Sequence, residues 1–190
     1  MCARVCAGHG VRSVNWSTGC VFSGSRGMYT EDDLPDARDL YGRTKLLGEV
    51  TDHTNTVTIR TSIIGWQLVE DTGSAGWFAA HRHEPLRGYA SSVYSGLTTR
   101  TLTEVIRDVV MPDAGLSGLW QVSSEPIDKY TLLSKLAGYL GWDVDLTPVS
   151  EPVSNHSLDS TRFRERTGLT PPSWDAMLDK LAQEWARHSE

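Results

Sequence analysis

Apolar and polar positions alternate along the chain with two periods, and this pattern predicts strands and helices in turn. The runs at 11–16 and 57–65 predict buried strands, and the second is rich in β-branched residues and ends at a glycine. Between them, the spacing of four apolar residues predicts an amphipathic helix over 39–52. These residues are Leu40, Leu46, Leu47 and Val50.

The second half predicts further elements of both kinds. Helices are predicted over 75–81, 101–110, 129–139 and 173–187, and strands over 88–94, 118–123 and 144–149. Thr101 and Glu104 predict a capping box at the start of the second of these helices. Because strands alternate with helices, the fold is predicted to be α/β with an at least partly parallel sheet.

Composition excludes several classes of partner. The chain has 190 residues, of which 39% are hydrophobic, and this predicts one domain with one core. Its net charge of −6 gives little electrostatic support for binding nucleic acid or anionic lipid. No apolar stretch approaches the roughly 20 residues that span a bilayer, and the first residues lack the apolar core of a signal peptide. We therefore expect a cytoplasmic protein without a membrane or nucleic-acid partner.

The cysteines predict a reducing environment. Cys2, Cys6 and Cys20 are odd in number and form no C-x-x-C pair, which favours reduced thiols over a disulfide framework. We expect them to be small buried side chains.

Three residues carry candidate chemistry. Tyr41 and Lys45 are four residues apart, so on a helix they lie on the same face. A phenol ordinarily has a pKa of about 10, and a neighbouring ammonium group favours the phenolate. Tyr41 is thus predicted to be a general acid, and the Thr18 hydroxyl a hydrogen-bond donor to a carbonyl oxygen that gains charge as hydride arrives. A Tyr-x-x-x-Lys pair by itself is more typical of an exposed helix.

The residues around this pair favour the catalytic interpretation. STGCVFSG at 17–24, GMYTEDD at 27–33 and YGRTKLLGE at 41–49 resemble the extended short-chain dehydrogenase/reductase superfamily, and within it the dTDP-4-dehydrorhamnose reductase-like branch. Looser similarity continues at 59–65, 88–99 and 156–168. The resemblance covers nearly the whole chain.

The resemblance implies a fold and its division. It implies a partial Rossmann-like parallel sheet, the C-terminal half of an extended short-chain dehydrogenase, with a smaller mixed α/β substrate lobe. We expect 1–190 to be a single truncated domain. Within it, 1–65 is expected to be the residual Rossmann core, and 66–190 mainly the substrate lobe with returning core elements.

The resemblance also implies roles for individual residues. Thr18 corresponds to the hydroxyl that positions the substrate, Tyr41 to the catalytic acid/base, and Lys45 to the residue that assists the tyrosine. Tyr41 and Lys45 also correspond to cofactor-binding residues. The implied cofactor is NADP or NAD, and the implied substrate is a nucleotide-activated 4-keto sugar.

Three predicted substrate-binding positions depart from the family pattern. Gly19 and Cys20 stand where the branch commonly has an acidic residue and an aromatic one. Ile63 stands where an aromatic residue often follows the Arg-Thr-Ser run. Because such enzymes contact the sugar at these positions, the identity of the sugar is left open.

The front of the chain lacks the family's dinucleotide fingerprint. Gly8 and Gly10 superficially resemble the start of a glycine turn, but no strand is predicted before them, and we expect them to end a helix over 2–7. The strand at 11–16 is therefore expected to present an uncovered edge. We expect a homo-oligomer or a partner to cover it.

Other residues that suggest sites have simpler interpretations. His81 and His83 are expected to be a solvated pair, and no metal site is predicted. Trp66 and Trp77 suit core packing better than stacking on a ligand. The acidic run Glu31, Asp32 and Asp33 is expected to be a solvated loop.

Four functional hypotheses stay open at this point. The first is a reductase of nucleotide-sugar metabolism, which the Thr18, Tyr41 and Lys45 set favours. The second is a non-catalytic nucleotide-binding or regulatory module, resembling the regulatory subunit of methionine adenosyltransferase. The third is a fragment of a nucleotide-sugar epimerase or dehydratase, and the fourth is a non-functional remnant of a longer gene.

Overall fold

The computed structural model describes residues 2–67 and 73–188. Its helices are α1 Cys2–Gly8, α2 Leu40–Leu47, α3 Ser74–Ala80, α4 Thr99–Val105, α5 Lys129–Leu140, α6 Thr161–Thr167 and α7 Trp174–His188. Its strands are β1 Ser13–Thr18, β2 Thr56–Thr61, β3 Ile63–Ile64, β4 Leu86–Tyr89, β5 Ser92–Tyr94, β6 Leu97–Thr98, β7 Gly118–Gln121, β8 Ile127–Asp128, β9 Leu146–Val149 and β10 Ser154–Asn155. This alternation confirms the predicted α/β class.

The largest sheet holds three parallel strands in the order β1, β2, β7. Its register places Trp16 beside Ile59, and Ile59 beside Trp120. β2 is the central strand and is buried along its whole length. Because all three strands run in the same direction, their carboxyl ends lie at one edge of the sheet. The parallel, Rossmann-like sheet predicted from the sequence is confirmed.

Three smaller sheets form the rest of the strand structure. They are β10-β5-β8, with β5 and β8 antiparallel, and the parallel pairs β3-β6 and β4-β9. α5 packs against β4, β8 and β9 and against α7. α7 buries Met177, Leu178 and Leu181, which are at most 1% exposed. None of the helices in the described ranges has both the length and the apolar character needed to cross a bilayer.

β1 lies at an edge of its sheet. Within residues 2–67 and 73–188, β2 is the strand paired with it, and its other side has no strand partner. Trp16 on this strand is 43% exposed, although the predicted strand was expected to be buried. The predicted uncovered edge is therefore present in the described part of the chain.

α2 is shorter than the predicted helix over 39–52. It ends at Leu47, with Gly48 as its C-cap, because Asn15 binds the Gly48 carbonyl and Thr58 binds the Val50 carbonyl, which directs the chain toward β1 and β2. Leu40 and Leu47 are 79% and 85% exposed, so the prediction that they face the core is wrong. Only two turns of helix form, and Gly42 and Leu46 contribute its inner face.

Other predicted boundaries move for identifiable reasons. The run 57–65 breaks at Ser62 into β2 and β3, and 88–94 belongs to β4 and β5. The capping box is wrong: Thr98 caps α4, accepting a hydrogen bond from the Thr101 N–H at 3.3 Å. Glu104 instead pairs with Arg100 at 3.1 Å, one turn away. An N-cap residue has an extended backbone. Thr98 has this conformation, whereas Thr101 lies inside the helix.

The cysteines are free, but they are less buried than predicted. Cys2 is exposed, and Cys6 and Cys20 are half-buried. The expectation that all three fill the core is therefore wrong.

Gly42 allows α2 to lie directly against the segment that follows β1. A Cβ atom at this position would be 2.2 Å from the Cys20 carbonyl oxygen and 2.6 Å from the Ala37 Cβ. Asp39 caps the helix beside it and accepts a hydrogen bond from the Gly42 N–H at 2.8 Å. No side chain larger than hydrogen fits this contact.

We expect Gly42→Ala to lower the free energy of unfolding by about 1–3 kcal/mol, because the backbone on both sides must move to admit the methyl group. Gly138→Ala is the matched control, since Gly138 is in α5 and a Cβ there meets nothing within 4 Å. It should raise the free energy of unfolding by about 0.8–1 kcal/mol through helix propensity. Urea titration measures both, and a neutral Gly42→Ala would contradict the close approach.

Candidate functional site

Thr18 ends β1 and begins the turn that follows it. Its Oγ1 accepts a hydrogen bond from the Cys20 N–H at 3.1 Å and so caps the 3-10 turn Gly19–Val21. Thr18 is only 6% exposed. Because the oxygen acts as an acceptor in this contact, the hydroxyl proton stays available for an acceptor on a bound molecule.

Tyr41 and Lys45 lie one turn apart on α2, as predicted. Tyr41 is 57% exposed, and the Lys45 ammonium donates a hydrogen bond to the Trp16 carbonyl at 2.5 Å. α2 packs against β1 and the 3-10 turn. The structure thus brings Thr18, Tyr41 and Lys45 around the carboxyl end of β1, while their catalytic roles stay predictions.

A cavity of about 700 Å³ opens beside this end of the sheet. Two of the predicted substrate residues, Cys20 and Ile63, line it, and Gly19 lies next to it in the chain. Thr18, Tyr41 and Lys45 are not among its described lining residues, and Thr18 is connected to it only by the hydrogen bond that it accepts from the Cys20 N–H. The full lining is Cys20, Ser62, Ile63, Ser74, Trp77, Arg87, Tyr89, Ser92, Val93, Tyr94, Lys129, Leu132, Leu133, Ser154 and His156.

The cavity carries positive charge in an acidic chain. Arg87 and Lys129 line it, and its described lining residues include no aspartate or glutamate. The chain as a whole has a net charge of −6. Cations concentrated in a concave, partly apolar surface attract anions more strongly than the same charges on an open surface. The cavity therefore favours an anionic ligand.

Aromatic rings form part of its wall. Trp77 and Tyr89 are 39% and 37% exposed, and both line the cavity. The Lys129 ammonium lies 6.0 Å from the centre of the Tyr89 ring. Burial raises the pKa of the Tyr94 phenol, which keeps it neutral. A planar group of a ligand could therefore contact the exposed parts of the Trp77 and Tyr89 rings.

The two tryptophans singled out by the sequence have different environments. Trp66 packs on the core and its indole N–H donates to the Leu181 carbonyl at 2.8 Å, as the core-packing interpretation expects. Trp77 differs, since it lines the cavity and stacks on His81 with ring centres 5.1 Å apart. The core-packing interpretation is therefore wrong for Trp77.

His156 lies so close to Gly19 and Gly24 that side chains at these two positions would collide with it. A Cβ at Gly19 would be 2.9 Å from the His156 carbonyl oxygen, and one at Gly24 would be 2.6 Å from its Nε2. The His156 ring thus lies against the backbone of the loop that follows β1. Its Nδ1 is buried and has no hydrogen-bond partner among the residues that the structure describes.

The acidic residues 31–33 make more contacts with the rest of the protein than the sequence predicted. Glu31 accepts a hydrogen bond from the Gln121 N–H at 2.8 Å, at the end of β7. Asp33 pairs with Arg26 at 2.5 Å, and hydrogen bonds from Thr30 and Arg26 lower the pKa of its carboxyl. Only Asp32 is exposed as expected. The solvated-loop interpretation is wrong for Glu31 and Asp33.

The histidine pair shows no metal geometry. His81 Nδ1 lies 2.8 Å from the Trp77 carbonyl, and His83 is exposed. Across the described ranges, no group of three or more histidine, cysteine or acidic side chains is placed to hold a metal ion.

The residues fit only one end of a nicotinamide dinucleotide. Tyr41 is accessible and the Lys45 ammonium has two further hydrogens to donate, which suits the hydroxyl groups of a ribose. Gly8 ends α1 and Gly10 has a φ of +66°, so these glycines close a helix, as predicted. In the described part of the chain they do not join a strand to a helix, which is how a pyrophosphate turn is built.

Sequence reasoning missed most of the cavity. Arg87, Tyr89, Lys129 and His156 come from three separate segments and form no single motif. The only local signal is the alternation in β4, where Leu86 and Gly88 are buried and Arg87 and Tyr89 are exposed. That alternation shows that the two residues share a face, but not what the face lines.

Comparison with known proteins places the chain. A family model described as the RmlD substrate binding domain matches residues 1–125. The chain is similar to the dTDP-4-dehydrorhamnose reductase from Bacillus anthracis in complex with NADP, with 22% identity and a TM-score of 0.79 over 96% of this chain and 68% of that one. No curated protein matches the sequence.

Two further structures have the same fold. A dTDP-4-dehydrorhamnose reductase from Clostridium acetobutylicum is 19% identical, with a TM-score of 0.80 over 97% of this chain and 69% of that chain. The dTDP-glucose 4,6-dehydratase from Bacillus anthracis in complex with NAD is 13% identical, with a TM-score of 0.76 over 97% of this chain and 65% of that chain. The chain thus spans about two thirds of the length of these proteins.

A pH-dependent contact holds the loop after Phe22. The hydroxyl and N–H of Ser23 each donate to Asp36 at 2.7 Å, and these bonds lower the pKa of the Asp36 carboxyl. A lowered folded pKa adds stability above the unfolded value of about 3.9, and this contribution is lost as the pH falls through the folded value. Asp36→Asn should therefore be less stable than the parent at pH of about 6, and the difference should shrink below pH of about 4.

Urea titration at several pH values measures this difference. Ser23→Ala is the matched variant, because it removes the hydroxyl partner and should reproduce part of the effect. A stability difference that stays constant down to pH of about 3 would show that the Asp36 carboxylate is not responsible.

Proposed function

Because the chain belongs to the RmlD substrate binding domain family, we propose that it acts in the NAD(P)H-dependent reduction of a nucleotide-activated 4-keto sugar. The observation that carries this proposal is a cationic, aromatic-lined cavity that begins at Cys20, in the turn capped by Thr18 and packed against α2 with its Tyr41 and Lys45. The family and the fold support an enzyme of nucleotide-sugar metabolism, and the reductase activity named for several similar structures supports a reductase among them.

The cavity suits the nucleotide part of such a substrate. Arg87 and Lys129 bind the diphosphate, because guanidinium and ammonium groups are the usual protein partners of phosphate oxygens. Trp77 and Tyr89 contact the planar base or the sugar faces. The volume of about 700 Å³ lies within the usual range of small-molecule sites.

The chain's own residues act on the carbonyl. A bound nicotinamide dinucleotide supplies the hydride. Thr18 donates a hydrogen bond to the carbonyl oxygen, and Tyr41 gives it a proton as negative charge develops there. A proton from water then restores the Tyr41 phenol.

A sugar bound near Cys20 and Ile63 has more room than it would have in a site with aromatic residues at both positions. The half-buried Cys20 thiol and the exposed Ile63 side chain face the cavity instead. dTDP-4-dehydrorhamnose is the first substrate to try, since that reductase is the activity named for several of the similar structures.

A non-catalytic nucleotide-binding module is the second candidate. It is favoured by one observation, that Thr18, Tyr41 and Lys45 are not among the described lining residues of the cationic, aromatic-lined cavity. Such a module would bind a nucleotide in the cavity without consuming NADPH.

Arg87→Gln should weaken binding of dTDP by about tenfold or more, because it removes a charged hydrogen-bond donor to the phosphates. Isothermal titration calorimetry measures the affinity. Arg82→Gln is the control, since the Arg82 guanidinium lies over the Trp142 ring at 5.2 Å and is outside the cavity lining. If both variants bind dTDP with equal affinity, the diphosphate does not bind at Arg87 and this assignment is wrong.

Tyr41→Phe should lower kcat by about a hundredfold or more, because the general acid is lost. The consumption of NADPH with dTDP-4-keto sugars measures turnover, and dTDP affinity should not change. Tyr139→Phe is the control, because that phenol bonds to Asp175 on the surface, away from the site. Binding of dTDP without turnover in the parent protein would favour the non-catalytic module.

A further inference from the structure

A polar surface fastens the end of α2 to the main sheet. Residues Asn15 and Ser17 of β1 stand opposite Thr58 and Arg60 of β2 in the strand register. Alternate residues of a strand share a face, so these four side chains lie together on one face of the sheet. All four bind the segment 48–50, and we call this set of contacts the α2 clamp.

The outer contacts of the α2 clamp hold backbone atoms. The Asn15 amide donates to the Gly48 carbonyl at 2.9 Å. The Thr58 hydroxyl donates to the Val50 carbonyl at 2.6 Å and accepts from the Val50 N–H at 3.2 Å. These bonds fix the chain on either side of Glu49.

Glu49 makes the central contact. Both of its carboxylate oxygens receive hydrogen bonds from Arg60, each at 2.8 Å, and Ser17 donates to one of them at 2.5 Å. The Arg60 and Glu49 side chains are only 3% and 5% exposed. A paired, bidentate contact of this kind has one favoured geometry, so it fixes position as well as charge.

The same guanidinium also contacts the other side of the site. It lies 5.1 Å from the centre of the Phe22 ring, which directly follows the turn capped by Thr18. Arg60 Nη1 and the neighbouring Gln121 amide have no hydrogen-bond partner among the described residues. Glu49 is thus the group that sets where the Arg60 cation lies.

We propose that Glu49 and Arg60 are positioning residues, which hold Tyr41 and Lys45 in register with Thr18. The role rests on the proposed function. α2 has two turns, too few to be stable by itself, and its Leu40 and Leu47 side chains are exposed. Its apolar packing is therefore small, and contacts at its two ends set its position.

The decisive variant removes the ion pair without leaving a lone charge. In the double variant Glu49→Met with Arg60→Met, two apolar side chains of similar length replace the pair, a change that often preserves stability. We expect a thermal midpoint near that of the parent. We also expect backbone amides of α2 to exchange with deuterium about tenfold faster or more, the factor for one lost hydrogen bond to a charged group.

Turnover gives a second readout. Misplacing reacting groups by about 1 Å costs about a hundredfold in rate. The double variant should therefore lower kcat by that order, with dTDP affinity unchanged because Arg87 and Lys129 lie on other elements. Glu49→Gln, which strands the Arg60 charge, should have the same effect on α2 and also lower the thermal midpoint.

The control removes another ion pair, one that is exposed, with neutral polar side chains of similar size. Arg166 and Asp113 pair at 2.8 Å on a different part of the surface, and Asp113→Asn with Arg166→Gln should leave exchange in α2 at the parent's rate. Unchanged exchange in α2 of the Glu49→Met, Arg60→Met variant would overturn the proposal. Equal acceleration in every element would also overturn it, since the pair would then support the whole fold.

The exchange measurement separates this proposal from the proposed function. If the parent protein reduces no sugar nucleotide, the reductase assignment fails, and the exchange rates of α2 still decide whether the ion pair holds the helix. If the parent is active and the double variant keeps both its kcat and its exchange rates, the positioning role fails alone.

Discussion

The contact between Gly42 and the Cys20 carbonyl is the constraint on which the candidate site depends. It lets the backbone of α2 lie against the turn that ends β1, where a methyl group would be 2.2 Å from that oxygen. Tyr41 precedes this glycine and Thr18 caps the turn, so one backbone contact relates residues from two distant elements. Glycine is needed here for space, since its φ is not in the left-handed region.

Charge is distributed unevenly over the molecule. The chain is acidic, yet the described lining of the main cavity has cations and no carboxylates. The acidic residues of the loop after β1 pair instead with neighbours, as Asp33 does with Arg26 and Glu31 with the end of β7. These paired carboxylates are outside the described lining of the cavity, where Arg87 and Lys129 meet no acidic side chain.

The sequence predicted what depends on local chemistry and missed what depends on distant packing. The α/β class, most helices and the one-turn spacing of Tyr41 and Lys45 follow from periodicity, which acts over a few residues. The end of α2 was not predictable in this way, because Asn15 and Thr58 hold the chain beyond it. Arg87 and Lys129 were missed because only the tertiary fold brings their segments to one cavity.

The free side of β1 has a directional consequence. Its neighbour β2 runs parallel to it, and the carboxyl ends of the strands lie where Thr18 is. A strand that added to this side in the same direction would bring its own trailing loop over Thr18 and α2, since parallel ladders align their carboxyl ends. Any polypeptide that docked there would add a wall to the candidate site and pair with backbone groups of β1 at the same time.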